Sequence, residues 1–169
     1  ARSNQPRRFL YAEEARTVQA ICEQIIPEDE NCGAARAGVV NFIDRQLAGF
    51  YREHQETYRR GIAGVDESSL TLFHARFADL SSERQTAVLV AMEKNRAPGE
   101  SWKQLPAKTF FDLIVSHTMQ GFYGSPRHGG NRDAVSWRML GVPVPPVRGR
   151  LIYDGTKQAA RRRAWQSNT

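Results

Sequence analysis

The sequence predicts an all-α domain of about six helices followed by an extended, proline-rich basic tail. Three observations carry this reading. Apolar residues recur at three- and four-residue steps in successive stretches. Glycines, prolines and capping residues punctuate those stretches at helix-length intervals. No stretch alternates apolar and polar residues for long enough to read as a strand. With 169 residues, 40% of them hydrophobic and 25% charged, the chain has the size and composition of one soluble domain with a single core. No run approaches the roughly 18 apolar residues a membrane-spanning helix needs.

The elements follow in order. Residues 1–11 form a polar arm ending in Phe9, Leu10 and Tyr11. Ala15, Val18, Ile21, Cys22, Ile25 and Ile26 then form one apolar stripe, which predicts a helix over about 12–26. Pro27 stops it, because its ring disfavours helical geometry in the residue before it. An acidic turn follows over residues 28–33. Val39, Val40, Phe42, Ile43, Leu47 and Phe50 predict a second helix, continuing to Tyr58 with a bend near Gly49 and broken by Gly61 and Gly64. Asp66 is the expected N-cap of a third helix, with Leu70, Phe73 and Phe77 on its buried face.

Ser81 or Ser82 caps a fourth helix, and Ser82 with Gln85 matches a capping box. Leu80, Val88, Leu89 and Met92 give that helix its inner side, and it ends near Ala97-Pro98-Gly99. Pro106 opens a fifth helix, with Phe110, Phe111, Ile114, Val115 and Thr118 facing inward and Gly121 as its C′ glycine. A short sixth helix over about 133–140 closes at Gly141. These elements assign 1–141 to a helical domain and 142–169 to a tail.

The tail differs in character. It contains the run VPVPPVRGRLIYDG, which is extended because proline fixes φ and removes donors. It also holds Arg148, Arg150, Lys157, Arg161, Arg162 and Arg163 against Asp154, a net +5 of the chain's formal +6. The high isoelectric point therefore reports the tail and not the body. Its apolar residues, Tyr153 among them, are expected to lie on a protein surface, of this domain or of a partner.

Few residues suggest chemistry. His54 and His74 read as solvated residues on helical faces, and His117, one turn before Gly121, as a structural residue that either caps or hydrogen-bonds in the core. No pair of histidines or carboxylates has metal-ligand spacing of the HExxH kind. Ser116 and His117 are adjacent, but neighbours in a helix point in different directions. No GxSxG elbow is present. Gly129-Gly130 lacks both the GxGxxG and GxxxxGK contexts of a phosphate loop. Arg161-Arg162-Arg163 with Trp165 keeps nucleic acid as a rival partner, but the helices present no basic face. Cys22 and Cys32 fit no zinc or haem spacing. An oxidising compartment would allow them to pair, at a gain of about 3 kcal/mol, and the cytosol would keep them as two free thiols.

The stretch GFYGSPRHGGNRDAVSW, residues 121–137, is the most distinctive in the chain. Glycines there permit unusual backbone angles, and Pro126 fixes a turn. Tyr123, Trp137 and the arginines are the residue types that dominate protein interfaces. The stretch either holds the last helices together or contacts a partner.

Two long runs resemble a known family. FFDLIVSHTMQGFYGSPRHGGNRDAVSWRMLGVP is similar to the C-terminal signature of the gluconate 2-dehydrogenase subunit 3 family, with Gly129-Gly130-Asn131 its specific part. FLYAEEARTVQAICEQIIPEDENCGAARAGVVNFIDRQLAG resembles the family's front half, and together the runs cover about residues 8–145. The resemblance implies a non-catalytic small subunit of a periplasmic dehydrogenase for sugars, sugar acids or glycosides. It binds no cofactor itself. A glucose-methanol-choline-type flavoprotein carries FAD, and a c-type cytochrome carries haem c. Export by the twin-arginine route, signal removal before Ala1 and indirect membrane association are also implied.

In this reading Phe122, Tyr123, Arg127, His128, Gly129, Gly130, Asn131, Arg132 and Trp137, with Arg148, Arg150 and Tyr153 of the tail, bind the large subunit. Family members often carry Pro-Gly-Ala where this chain has Cys32-Gly33-Ala34, with Cys22 upstream; the resemblance thereby implies a Cys22–Cys32 disulfide. The alternative is a stand-alone helical protein that binds nucleic acid or escorts export.

Overall fold

The computed structural model of the chain describes residues 7–142. Within them are seven α-helices and no strand: α1 Ala12–Ile25, α2 Ala34–Ala37, α3 Val39–Leu47, α4 Gln55–Phe73, α5 Ser82–Glu93, α6 Ala107–Tyr123 and α7 Val135–Met139, with five short 3₁₀ turns between them. The expected tail contacts of Arg148, Arg150 and Tyr153 lie outside the described residues. Among those residues no helix is long and apolar enough to cross a membrane.

Helices α1 and α6 are the central pair. Each packs against α2, α3, α4 and α5, and they pack against each other. The stripe expected for α1 is buried from Ala15 to Cys22, and α6 adds Phe110, Ile114 and Phe122. Tyr58, Phe77, Phe110 and Phe122 are the largest fully enclosed side chains, so removing any one of them would leave a cavity and cost about 3–5 kcal/mol.

The part of the N-terminal arm within the described residues is fixed at residues 8–10 by one buried carboxylate. Asp44 on α3 accepts the backbone N–H groups of Arg8, Phe9 and Leu10 at 2.8, 3.0 and 2.9 Å. The guanidinium of Arg59 lies 4.1 Å over the Phe9 ring and 4.4 Å over the Tyr11 ring, donates to the Phe9 carbonyl at 2.9 Å, and pairs with Glu14. Glu14 also accepts the Tyr11 N–H at 2.8 Å, which closes the first turn of α1.

The middle of the chain departs from expectation. Gly61 and Gly64 do not break a helix: α4 runs through both, to Phe73. Their role is close packing. A Cβ at Gly61 would lie 2.3 Å from Phe110 Cδ2, and one at Gly64 would lie 2.7 Å from Trp102 Cη2. Asp66 is consequently interior to α4 and caps nothing there; its carboxylate accepts the Phe77 N–H at 3.2 Å. Phe50 and Leu70, expected inside, are exposed. Gln85 does not close a capping box, because it spans Gln24 and the Phe77 carbonyl instead. Helix α5 ends at Glu93 rather than near Pro98. Pro106 precedes α6 as its N-cap.

The Cys22–Cys32 disulfide is absent, and both residues are buried free thiols. Cys22 Sγ lies 3.2 Å from the Thr118 hydroxyl on α6, and Cys32 Sγ donates to the Gly33 carbonyl at 3.4 Å. Each thiol thus has its own neighbour. Burial pushes the Cys22 thiol up to about 12, so it stays protonated and unreactive.

Candidate partner interface

The distinctive stretch after α6 is first of all a built loop. Gly121 does not end α6, which continues to Tyr123 with Gly124 as C-cap. Gly121 instead lets the helix approach α3, since a Cβ there would meet Phe42 and Val39 at 3.0 Å. The chain then folds back onto its own helix. A Cβ at Gly130 would lie only 2.1 Å from the Gly121 carbonyl oxygen, so the loop backbone rests directly on the α6 backbone.

Asn131 locks this return. Its side chain donates to the Gly124 carbonyl at 2.8 Å and accepts the Ser136 N–H at 3.0 Å. Its own backbone is left-handed, at φ 43°, a conformation asparagine tolerates better than most residues. Gly129, at φ 104°, makes the preceding turn beside Arg45 of α3. Trp137 completes the closure, its indole N–H donating to the Tyr123 carbonyl at 2.7 Å.

This geometry divides the expected partner-contacting residues. Phe122 is 1% exposed, Asn131 is 0% exposed and Gly130 is buried, so these three belong to the domain's own packing. They face inward because α6 and the loop need them as core, brace and close-approach position. Tyr123, Arg127 and His128 are exposed, and Gly129, Arg132 and Trp137 are half-buried. Arg127 Nε donates to His128 Nε2 at 3.0 Å.

The surroundings contain apolar residues the sequence pattern assigned elsewhere or passed over. Met119 of α6, Met139 of α7, Leu140, Val142 and the distant Phe50 are all exposed. The first four follow the loop's own elements. Phe50 is joined through Tyr51, whose ring lies 5.4 Å from Phe50 and whose hydroxyl donates to Gln120 on α6.

Beneath this surface sits a ring stack. His117 lies between Tyr51 and Tyr58, nearly parallel to both, with centroids 4.5 and 5.7 Å away. Burial first, and the neighbouring His54 second, hold the His117 imidazole down at about 4, with Glu53 opposing them. His117 is therefore a neutral core residue at physiological pH, and of its two expected structural roles it takes the core hydrogen bond rather than the cap. His54 is half-buried against the same stack rather than fully solvated, and His74 is exposed as the left-handed C-cap of α4. Among the described residues no group of three or more His, Cys, Asp or Glu side chains is placed to hold a metal ion.

The family model described as gluconate 2-dehydrogenase subunit 3 matches residues 12–143, most of the chain. The chain belongs to the gluconate 2-dehydrogenase subunit 3 family. No curated protein and no solved structure gives a significant match. Membership makes this a subunit 3-type accessory chain of a multi-subunit dehydrogenase with a catalytic partner. The subunit 3 match ends at the boundary of the described residues, and so includes the Gly-Gly-Asn loop and α7.

Proposed function

We propose that this chain is the non-catalytic small subunit of a periplasmic dehydrogenase that oxidises a CH–OH group of a sugar, sugar acid or glycoside. The catalytic subunit is a glucose-methanol-choline-type flavoprotein carrying FAD, and a c-type cytochrome receives the electrons. The subunit stabilises the flavoprotein and accompanies it through twin-arginine export. The family match over residues 12–143 carries this reading. The exposed apolar side chains beside the Gly-Gly-Asn loop support it, because a chain that works alone gains nothing from leaving them in water.

Co-expression with a glucose-methanol-choline-type flavoprotein from the same genome tests the proposal. Flavin-dependent dye reduction should appear in the periplasmic fraction only when both chains are present, and both should co-purify. Full activity of the flavoprotein expressed alone would refute the stabilising role. Dye reduction by this chain alone would refute its non-catalytic assignment. Activity that needs co-expression, with no small subunit in the purified enzyme, would reduce the role to export and folding.

A further inference from the structure

Several exposed apolar side chains stand on the elements that meet at the C-terminal end of α6. Phe50, 80% exposed, abuts Tyr51, which holds Gln120 of α6. Met119 and Tyr123 lie one turn apart on the same helix, flanking Gln120, and all three are exposed. The Trp137 bond to the Tyr123 carbonyl sets α7 alongside, and α7 continues into Met139 and Leu140, the latter 58% exposed. The Val142 N–H bonds the Trp137 carbonyl at 2.8 Å, which holds the last described residue at the same edge.

Resting on the accessory-subunit reading, we infer that this face, spanning Phe50, Met119, Tyr123, Met139 and Leu140, is the docking surface for the catalytic subunit, and that its occupant there is an apolar patch rimmed by carboxylates. Charge selects this occupant. Arg52, Arg127 and Arg138 are exposed around the face, and none forms an ion pair with a described carboxylate. Glu53 and Asp133 are the nearby acids in the sequence. The segment that continues from Val142 adds a net +5. A second copy of this face would set two net-positive rims, each continuing into a net-positive segment, against each other, which is unfavourable at an interface. A partner surface bearing carboxylates matches both the rim and the continuing segment. In this arrangement Phe122, Gly130 and Asn131 brace the face from within, and Tyr123, Arg127 and Trp137 belong to it.

The test is capture of this chain by the immobilised glucose-methanol-choline-type flavoprotein from the same genome, with thermal melts as a folding control. Leu140→Glu and Phe50→Glu should each reduce capture at least tenfold without changing the melt, because both side chains already stand in water. Leu70→Glu, an exposed position about 22 Å along α4 from its first turn, should be captured like wild type. Arg138→Glu should reduce capture most at low salt. Wild-type capture of both Leu140→Glu and Phe50→Glu would overturn the inference while leaving the complex intact. No capture of wild type would overturn the accessory-subunit reading itself. An isolated chain that sediments as a dimer and becomes a monomer in Leu140→Glu would assign the face to self-association and overturn the inference. Loss of capture on ending the chain at Val142, with Leu140→Glu unaffected, would assign the contact to residues 143–169 instead.

Discussion

The Tyr58 phenol oxygen and His117 Nδ1 share a hydrogen bond of 2.9 Å that joins α4 to α6 inside the core. Burial also raises the Tyr58 phenol well above its ordinary value, so neither partner carries charge near neutrality. The pair lies directly under the surface around Tyr51 and Gln120, and its protonation state bears on the stability of that whole region.

His117 should make the fold acid-sensitive in a definite window. Its folded value of about 4 lies below the ordinary 6.5, so the unfolded chain binds the proton more readily. The resulting stability is fully present above about pH 6.5 and is lost as the pH falls towards 4. The loss should amount to about 2 kcal/mol, read from denaturant unfolding at pH 7 and pH 4.5. His117→Phe should flatten that part of the profile, at a cost in stability from the orphaned Tyr58 hydroxyl. An identical pH slope in the variant would contradict the assignment.

Asp44 should be the residue on which the placement of residues 8–10 depends. Asp44→Ala leaves three backbone donors, those of Arg8, Phe9 and Leu10, without their acceptor. A loss of about 2–3 kcal/mol is expected, with new protease cleavage near residues 8–11. Asp44→Asn keeps one acceptor oxygen and should lose less. Unchanged stability and cleavage in Asp44→Ala would show that the arm is held by something else.

Gly130→Ala should separate the loop from α6. The added methyl would meet the Gly121 carbonyl, part of a helix backbone that cannot turn aside. Destabilisation of about 2–3 kcal/mol and a changed Trp137 fluorescence are expected. Gly49→Ala, where the nearest atom would be 3.4 Å away, should be tolerated. Equal stability of the two variants would contradict the close-packed loop.

The sequence reveals elements whose signal is local and conceals those set by distant neighbours. Helix α1 was legible because its stripe and Pro27 lie within one short window. Gly61 and Gly64 look like breakers in sequence, since nothing nearby announces the Phe110 and Trp102 rings that fill the space a side chain would need. Phe50 fits the apolar stripe of α3, but α3 stops at Leu47 and the following turn carries Phe50 outward. The Gly-Gly-Asn loop was legible as special, and the split between its inward brace and outward rim was not. That split depends on the return of the chain across Gly121, which no spacing encodes. Asp44 gave no signal at all as a clamp, because its partners are backbone groups more than thirty residues away.

The two cysteines should behave as buried thiols in the folded chain. A thiol reagent should modify neither in native buffer and both in denaturant, because each is enclosed and Cys22 is held protonated. Chain purified from an oxidising compartment with no titratable thiol in denaturant would show that the resemblance-based disulfide forms there after all.

The central claim is that this chain works by gripping a catalytic partner. Its most direct measurement is size-exclusion of the active, co-expressed dehydrogenase, following flavin absorbance and this chain together. The account predicts one peak containing both, with activity, and its separation into two when Phe50 and Leu140 are both changed to Glu. An active flavin peak free of this chain in the wild-type preparation would contradict it.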